Sequence, residues 1–107
     1  SAKLYVDLRR FESAQQSFEN VLKDYPETQR AEEIRYLMAK SQYQYADLSY
    51  VTRKGERFDK AEKLINTFLE RYPESLYVEE IKVLSTKTAK QLKELENVRY
   101  QSTGPRP

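Results

Sequence analysis

The chain contains the stretch FESAQQSFENVLKDYPETQRAEEI, residues 11–34, and repeats it as FDKAEKLINTFLERYPESLYVEEI, residues 58–81, at an offset of 47 residues. Nine of the 24 aligned positions are identical, namely Phe11/Phe58, Ala14/Ala61, Leu22/Leu69, Tyr25/Tyr72, Pro26/Pro73, Glu27/Glu74, Glu32/Glu79, Glu33/Glu80 and Ile34/Ile81. Repetition at a fixed period is typical of stacked supersecondary units, none of which buries its apolar face alone. Proteins built in this way work mainly by presenting surface to partners, so the repeat predicts an interaction protein.

The composition limits the chemistry that the chain can perform. It has 107 residues, of which 38% are hydrophobic and 34% charged, with no cysteine and no histidine. These absences exclude disulfides, cysteine-based metal sites, thiol nucleophiles and the commonest general base, so we expect no catalytic residue, metal or cofactor. The 19 basic and 17 acidic residues are interleaved, whereas nucleic-acid binding needs a concentrated basic face. We therefore expect protein partners and no nucleic acid.

The spacing of the apolar residues predicts an all-α fold. They step by three and four positions along five segments, which predicts amphipathic helices at about 2–9, 11–24, 29–50, 57–71 and 76–98. No segment alternates apolar and polar residues with a period of two, so no strand is expected. We interpret residues 1–98 as a domain of stacked antiparallel helical hairpins, an α-solenoid, and residues 99–107 as a disordered tail.

Short polar turns are expected between these helices. Each repeat contains a Tyr-Pro pair, which ends a helix because the residue before a proline is disfavoured in the α region. Thr28 and Ser75 follow the two pairs at positions suited to capping the next helix. The polar stretch TRKGE, residues 52–56, predicts a further break around Gly55.

Twelve residues form a structural repeat signature on the apolar faces and at the ends of the helices at 11–24 and 57–71. They are Phe11, Ala14, Phe18, Leu22, Tyr25, Pro26, Phe58, Ala61, Ile65, Leu69, Tyr72 and Pro73. We expect the phenylalanines to form the core between helices and each tyrosine to cover the end of a hairpin.

The residues that carry this signature also carry a family resemblance. The pattern Y-x5-F-x2-A-x3-F-x2-V-L-x2-Y-P, from Tyr5 to Pro26, resembles a tetratricopeptide (TPR) repeat, and the match covers residues 2–98. It implies that Ala14 and Ala61 lie where two helices cross closely. The 47-residue period exceeds the usual TPR length of about 34 residues. The long opening helix YLMAKSQYQYA, the polar linker and the phrase FLERYPES are similar to the outer-membrane assembly lipoprotein family called BamD or YfiO.

The resemblance implies a specific function and cellular location. A member of this family would be a non-catalytic scaffold in the machinery that inserts β-barrel proteins into the outer membrane of a Gram-negative bacterium. Its partners would be the β-barrel assembly complex and unfolded outer-membrane proteins. It would lie at the periplasmic face of the outer membrane, held only by a lipid-modified cysteine upstream of Ser1, and this chain would be its C-terminal half.

The tyrosines of the third predicted helix are the candidate partner-binding residues. Tyrosine is enriched at protein interfaces because it is large, stiff and amphipathic. We select Tyr36, Lys40 and Tyr43, with Tyr50 near the following loop, because in a TPR stack the first helix of each hairpin lines the concave surface. The alternative is that these tyrosines pack against the first or the last helix.

Two other functions stay open at this point. One is a different TPR protein of the envelope, such as a coordinator of cell division or a peptidoglycan-associated protein. The other is a cytosolic co-chaperone that clamps an acidic peptide C-terminus, a mode that needs asparagines and lysines on the first helix of each hairpin. Asn20 and Asn66 fall on the second helices and Asn97 lies at the end of the last one, which disfavours the clamp.

Overall fold

The computed structural model describes the backbone of residues 2–103 and the side chains of residues 2–98. This part of the chain forms four α-helices: α1 (Ala2–Asp24), α2 (Ala31–Leu48), α3 (Val51–Arg71) and α4 (Val78–Thr103). It contains no strand, so the all-α prediction is confirmed. Consecutive helices pack against one another and α2 also contacts α4, an arrangement that fits a stack of helical hairpins.

The first difference from the sequence-based prediction is that α1 is continuous. Separate helices at 2–9 and 11–24 were expected, and that expectation is wrong because nothing at Arg9 and Arg10 stops a helix. Arginine is among the better helix formers, and neither glycine nor proline occurs nearby. Leu4 and Leu8 therefore lie one turn apart on the same face, with Leu8 buried. The described residues thus form four helices instead of the expected five or so.

The second difference lies between α2 and α3. The predicted break at residues 52–56 is absent, because Gly55 lies inside α3 with a negative φ. One glycine costs a helix about 1 kcal/mol relative to alanine, which is too little to end a helix that packs on two neighbours. The turn consists instead of Ser49 and Tyr50, whose ψ angles of 158° and 149° are extended.

The two Tyr-Pro turns have the same hydrogen-bond geometry. In the first, the Thr28 amide donates to the Tyr25 carbonyl at 3.1 Å, and the Ala31 amide donates to the Thr28 carbonyl at 3.1 Å. In the second, the equivalent amides of Ser75 and Val78 donate at 3.1 and 3.2 Å. The hydroxyls of Thr28 and Ser75 each accept a hydrogen bond from the backbone amide two residues later. They stabilise the turn ahead of the helix, and the sequence repeat is thus a repeat of local structure.

Helix α3 forms the centre of the core because it has a neighbour on each side. Phe58, Ala61, Ile65 and Phe68 on α3 have no solvent exposure. Their neighbours on α2 and α4 include Tyr36, Ala39, Ile81 and Leu84, which are also buried. Five of the six signature residues of the second repeat therefore lie in or beside the core, and the sixth, Pro73, is exposed.

Helix α1 is less covered because its backbone packs closely on α2 only, and α3 reaches it through the Lys60–Glu19 ion pair. Ala14 and Phe18 are half-buried, whereas their repeat equivalents Ala61 and Ile65 are fully buried. Tyr25 is 68% exposed, whereas its equivalent Tyr72 is half-buried. The same sequence signature is thus more deeply buried on α3 than on α1, because α3 has more neighbouring helices.

The C-terminal end of α4 lies beyond the predicted residue 98. The helix is described through Thr103, and residues 104–107 lie outside the described residues. The disordered tail at 99–107 stays a prediction.

Candidate protein-binding surface

The described residues offer no features of a metal site or a membrane span. No group of three or more acidic side chains within them is placed to hold a metal ion. None of the four helices, over the part of the chain that the structure describes, has both the length and the hydropathy to cross a bilayer. The candidate surface is therefore the one around the tyrosines of α2 and of the turn that follows it.

Tyr36 is buried where α2 meets the start of α4. Its ring stacks on the ring of Tyr77, with centroids 3.9 Å apart and planes within 9°. Its hydroxyl donates a hydrogen bond to the Glu80 carboxylate and accepts one from Lys40 Nζ at 3.4 Å. Lys40 Nζ also lies 3.8 Å from the Glu80 carboxylate. These contacts occupy both the face and the polar tip of Tyr36.

The electrostatics of this cluster keep Tyr36 and Lys40 protonated. The hydrogen bond to the Glu80 carboxylate, followed by burial, raises the pKa of the Tyr36 phenol. The hydrogen bond to Tyr36, followed by the negative charge nearby, raises the pKa of the Lys40 ammonium. The cluster is therefore a polar link between α2 and α4 in which Tyr36 and Lys40 keep their protons at neutral pH.

Tyr43 lies closer to the centre of α2 and is half-buried. Its ring packs on the ring of Phe58 in α3, with centroids 5.7 Å apart and an angle of 54°. Burial raises the pKa of its phenol, to which the negative charge of Asp47 adds. Its apolar part thus contributes to the contact between α2 and α3.

Tyr50 alone among the four predicted residues is largely exposed. It is 59% exposed in the turn between α2 and α3, and it is flanked by Val51 at 60% and Leu48 at 41%. It lies 14 residues from Tyr36, about 20 Å along the helix direction at 1.5 Å per residue. The structure thus does not bring Tyr50 together with the Tyr36 cluster.

Exposed apolar side chains from α4 extend the surface around Tyr50. Because α3 and α4 are antiparallel, the end of α4 lies beside the start of α3, where Val51, Leu95 and Val98 line one groove. Val98 is 51% exposed and Leu95 is half-buried. We call the apolar surface of Leu48, Tyr50, Val51, Leu95 and Val98 the turn patch.

Sequence reasoning did not find the polar network that holds the α2–α3 turn. Arg57 in α3 donates to Ser49 Oγ at 2.7 Å, and its guanidinium carbon lies 4.2 Å from the centroid of the Tyr45 ring. Ser49 Oγ in turn donates to the Tyr45 carbonyl at 2.6 Å. Arg57 thus fixes the position of the turn on which Tyr50 stands.

Two buried glutamines extend this network into the core. Gln15 is 5% exposed and Gln42 is 2% exposed. Both occupy positions in an apolar periodicity, Gln15 between Phe11 and Phe18 and Gln42 between Met38 and Tyr45. A glutamine that takes the place of an apolar residue in a helical periodicity is the sequence signal that could have indicated this network.

Comparison with known families adds one match. The family model YfiO, described as outer membrane lipoprotein, matches residues 3–101. Neither the curated proteins nor the solved structures contain a match to the chain.

Proposed function

Because this chain belongs to the YfiO family of outer membrane lipoproteins, we propose that it is a non-catalytic scaffold of the outer-membrane β-barrel assembly machinery. It works at the periplasmic face of the outer membrane and binds another subunit of that machinery. The family match over residues 3–101 and the repeated helical hairpins support this proposal.

The observation that carries the proposal is the turn patch. Four of its members are between 41% and 60% exposed. Leu48, Tyr50 and Val51 are neighbours in the chain at the α2–α3 turn, and Val51 shares a groove with Val98. Contiguous exposed apolar surface at a fixed turn is typical of a protein-binding site. Tyr50 supplies an aromatic anchor of the kind that dominates binding energy at interfaces. The Arg57 contacts hold this turn in place before a partner arrives, which lowers the ordering cost of binding.

Tyr36, Lys40 and Tyr43 take a supporting part in the proposal. They hold α2 against α3 and α4, so the patch at the end of α2 stands on a rigid support. A partner that reaches along α2 would meet the exposed part of Lys40, whose side chain is 42% exposed.

Co-purification of the full-length protein tests the proposal. The variant Tyr50→Ala/Val51→Ser removes the anchor and an exposed valine, and Leu76→Ser is the matched control. Leu76 is 99% exposed at the other end of the α3–α4 hairpin. Each protein is expressed natively, extracted from membranes in detergent, and compared for the amount of the known barrel-assembly subunits that it retains.

We expect the double variant to retain about tenfold less of its partner subunit, since truncating an interface aromatic commonly costs more than about 1.4 kcal/mol. Leu76→Ser is expected to retain the wild-type amount. Equal retention by all three proteins would contradict the role of the turn patch. Retention of a cell-division or peptidoglycan-associated protein in place of the barrel-assembly subunits would support a different envelope adaptor.

A further inference from the structure

A second candidate site lies in the groove between α1, α2 and α3, away from the turn patch. The groove has a volume of about 360 Å³, within the range of small-ligand sites. Gln15 and Gln42 form its buried floor, and long exposed side chains such as Glu12 and Glu56 form its rim. We call it the glutamine groove, and its role does not depend on the function proposed above.

The hydrogen bonds at the floor of the groove fit only one orientation of the Gln15 and Gln42 side-chain amides. Gln42 Nε2 donates to the Arg57 carbonyl at 3.0 Å, which leaves Gln42 Oε1 to accept from Gln15 Nε2 at 3.1 Å. Gln15 Nε2 also donates to the Met38 carbonyl at 3.3 Å. Both partners of Gln15 Nε2 are acceptors, so a flipped amide would place oxygen against oxygen. The amide orientation of Gln15 is therefore determined.

This orientation leaves Gln15 Oε1 without a donor. The oxygen is buried and accepts no hydrogen bond from any described residue. Buried amide oxygens with no partner are rare in folded proteins, and each requires an explanation. An N–H or O–H donor that enters the groove from another molecule would supply the missing bond.

The side chains that line the groove carry three negative charges and two positive ones, Arg57 and Lys60, and this small negative excess favours a cationic donor. Two of the acidic side chains are already paired, Glu19 with Lys60 at 3.2 Å and Glu56 with Arg53 at 2.9 Å. Glu12, one turn before Gln15 on the same face of α1, forms no ion pair with a described residue. A cation that reached Gln15 Oε1 would therefore have a carboxylate beside it.

We propose that the glutamine groove binds an arginine side chain of a protein partner, with one N–H donated to Gln15 Oε1 and another to the Glu12 carboxylate. A guanidinium is always charged and presents several donors in a planar fork, so it can serve both acceptors at once. Arg57 of this chain already lies in the same groove, its guanidinium over the ring of Tyr45 at 4.2 Å. Because Gln15 Oε1 is buried, entry requires rotation of rim side chains, of which Glu12 is exposed and has no ion pair to lose.

An NMR titration of the full chain with a short probe tests this proposal. The probe is acetyl-alanyl-arginyl-alanine amide, and the side-chain amide signals of Gln15 and Gln42 report on the groove. The same peptide with citrulline keeps the donors without the charge, and the lysine peptide keeps the charge without the planar fork. We expect saturable shifts with the arginine peptide and weaker binding of the other two.

Three variants locate the binding. Gln15→Met, which removes the free acceptor, is expected to weaken the arginine peptide about tenfold, and Glu12→Gln about two- to fivefold. Glu27→Gln, an exposed change outside the groove, is expected to leave binding unchanged. If Gln15→Met does not fold, the exposed Glu12→Gln variant still decides the matter.

Three results would overturn the proposal. The first is the absence of any shift at saturating peptide. The second is equal binding of the arginine and citrulline peptides with no effect of Glu12→Gln. The third is a long-lived water molecule bound at Gln15 that the arginine peptide does not displace, because the acceptor would then be satisfied by solvent.

Discussion

Tyr36 joins α2 to α4 through both parts of its side chain. The ring stacks on Tyr77, and the hydroxyl bonds to Glu80. Tyr36→Phe keeps the stack and removes the hydroxyl, so we expect a loss of about 1 kcal/mol in the free energy of unfolding. Urea unfolding of the two proteins at pH 7 measures this loss. An unchanged midpoint would show that the hydrogen bond to Glu80 in the folded state is no stronger than the hydrogen bond of the same hydroxyl to water in the unfolded state.

The raised pKa of Tyr36 predicts a pH dependence of the same bond. The pKa of the folded protein lies above the ordinary value of 10.0, so the folded state holds its proton more tightly than the unfolded state. The stabilisation is therefore complete below about pH 10 and is lost as the pH rises through the folded-state pKa. The raised pKa values of Lys40, Tyr43 and Tyr45 act in the same direction. The stability difference between wild type and Tyr36→Phe should shrink above pH 10, and a constant difference would contradict this assignment.

Arg57 fixes the α2–α3 turn through geometry that a lysine cannot reproduce. Its guanidinium both donates to Ser49 Oγ and lies over the Tyr45 ring. We expect Arg57→Lys to lower the free energy of unfolding by about 1 kcal/mol, because the planar fork and much of the ring contact are lost. Thermal melts measure this effect. Lys60→Arg, a change of the same type at an exposed position, serves as the control and should stay within about 0.5 kcal/mol.

At the scale of the helices, the alanines of the repeat give a matched test of helix packing. Ala61 on α3 has no solvent exposure, whereas Ala14 on α1 is half-buried beside a groove that Phe11 and Leu37 also line. Ala61→Leu is expected to lower the free energy of unfolding by about 1–3 kcal/mol through overpacking. Ala14→Leu should change it by less than about 0.5 kcal/mol. Equal effects of the two substitutions would mean that α1 and α3 are covered to the same extent.

The helices themselves were largely predictable from the sequence, because their signals are local. The steps of three and four in the apolar residues gave α2, α3 and α4, and the Tyr-Pro pairs gave two of the three turns. The errors came where a weak local signal was read as a stop. Arg9 and Arg10 continue α1, and Gly55 lies within α3.

The candidate surface was less predictable, because burial depends on contacts between distant residues. Tyr36 and Tyr50 look alike in the sequence, yet one meets Tyr77, 41 residues further on, and the other meets no described ring. The turn at Ser49 and Tyr50, between α2 and α3, carries no glycine or proline to mark it. The turn depends instead on Arg57, a contact that only the folded chain creates.

At the scale of the whole molecule, the stack predicts a gradient of local stability. Helix α3 is covered on two sides and α1 on one side only. Because opening α1 exposes less apolar surface than opening α3, we expect the amides of α1 to exchange with solvent faster at neutral pH. Hydrogen exchange followed by mass spectrometry measures the order of the helices. Slower exchange in α1 than in α3 would contradict the packing described above.

Site-specific photo-crosslinking in living cells tests the scaffold function most directly. Benzoylphenylalanine in place of Tyr50 of the full-length protein samples the turn patch, and the same group in place of Leu76 samples the opposite end of the hairpin. We expect position 50 to crosslink to a subunit of the outer-membrane β-barrel assembly machinery and position 76 to give no such product. No such product from position 50, or an equal product from both positions, would contradict the proposed scaffold function of the turn patch.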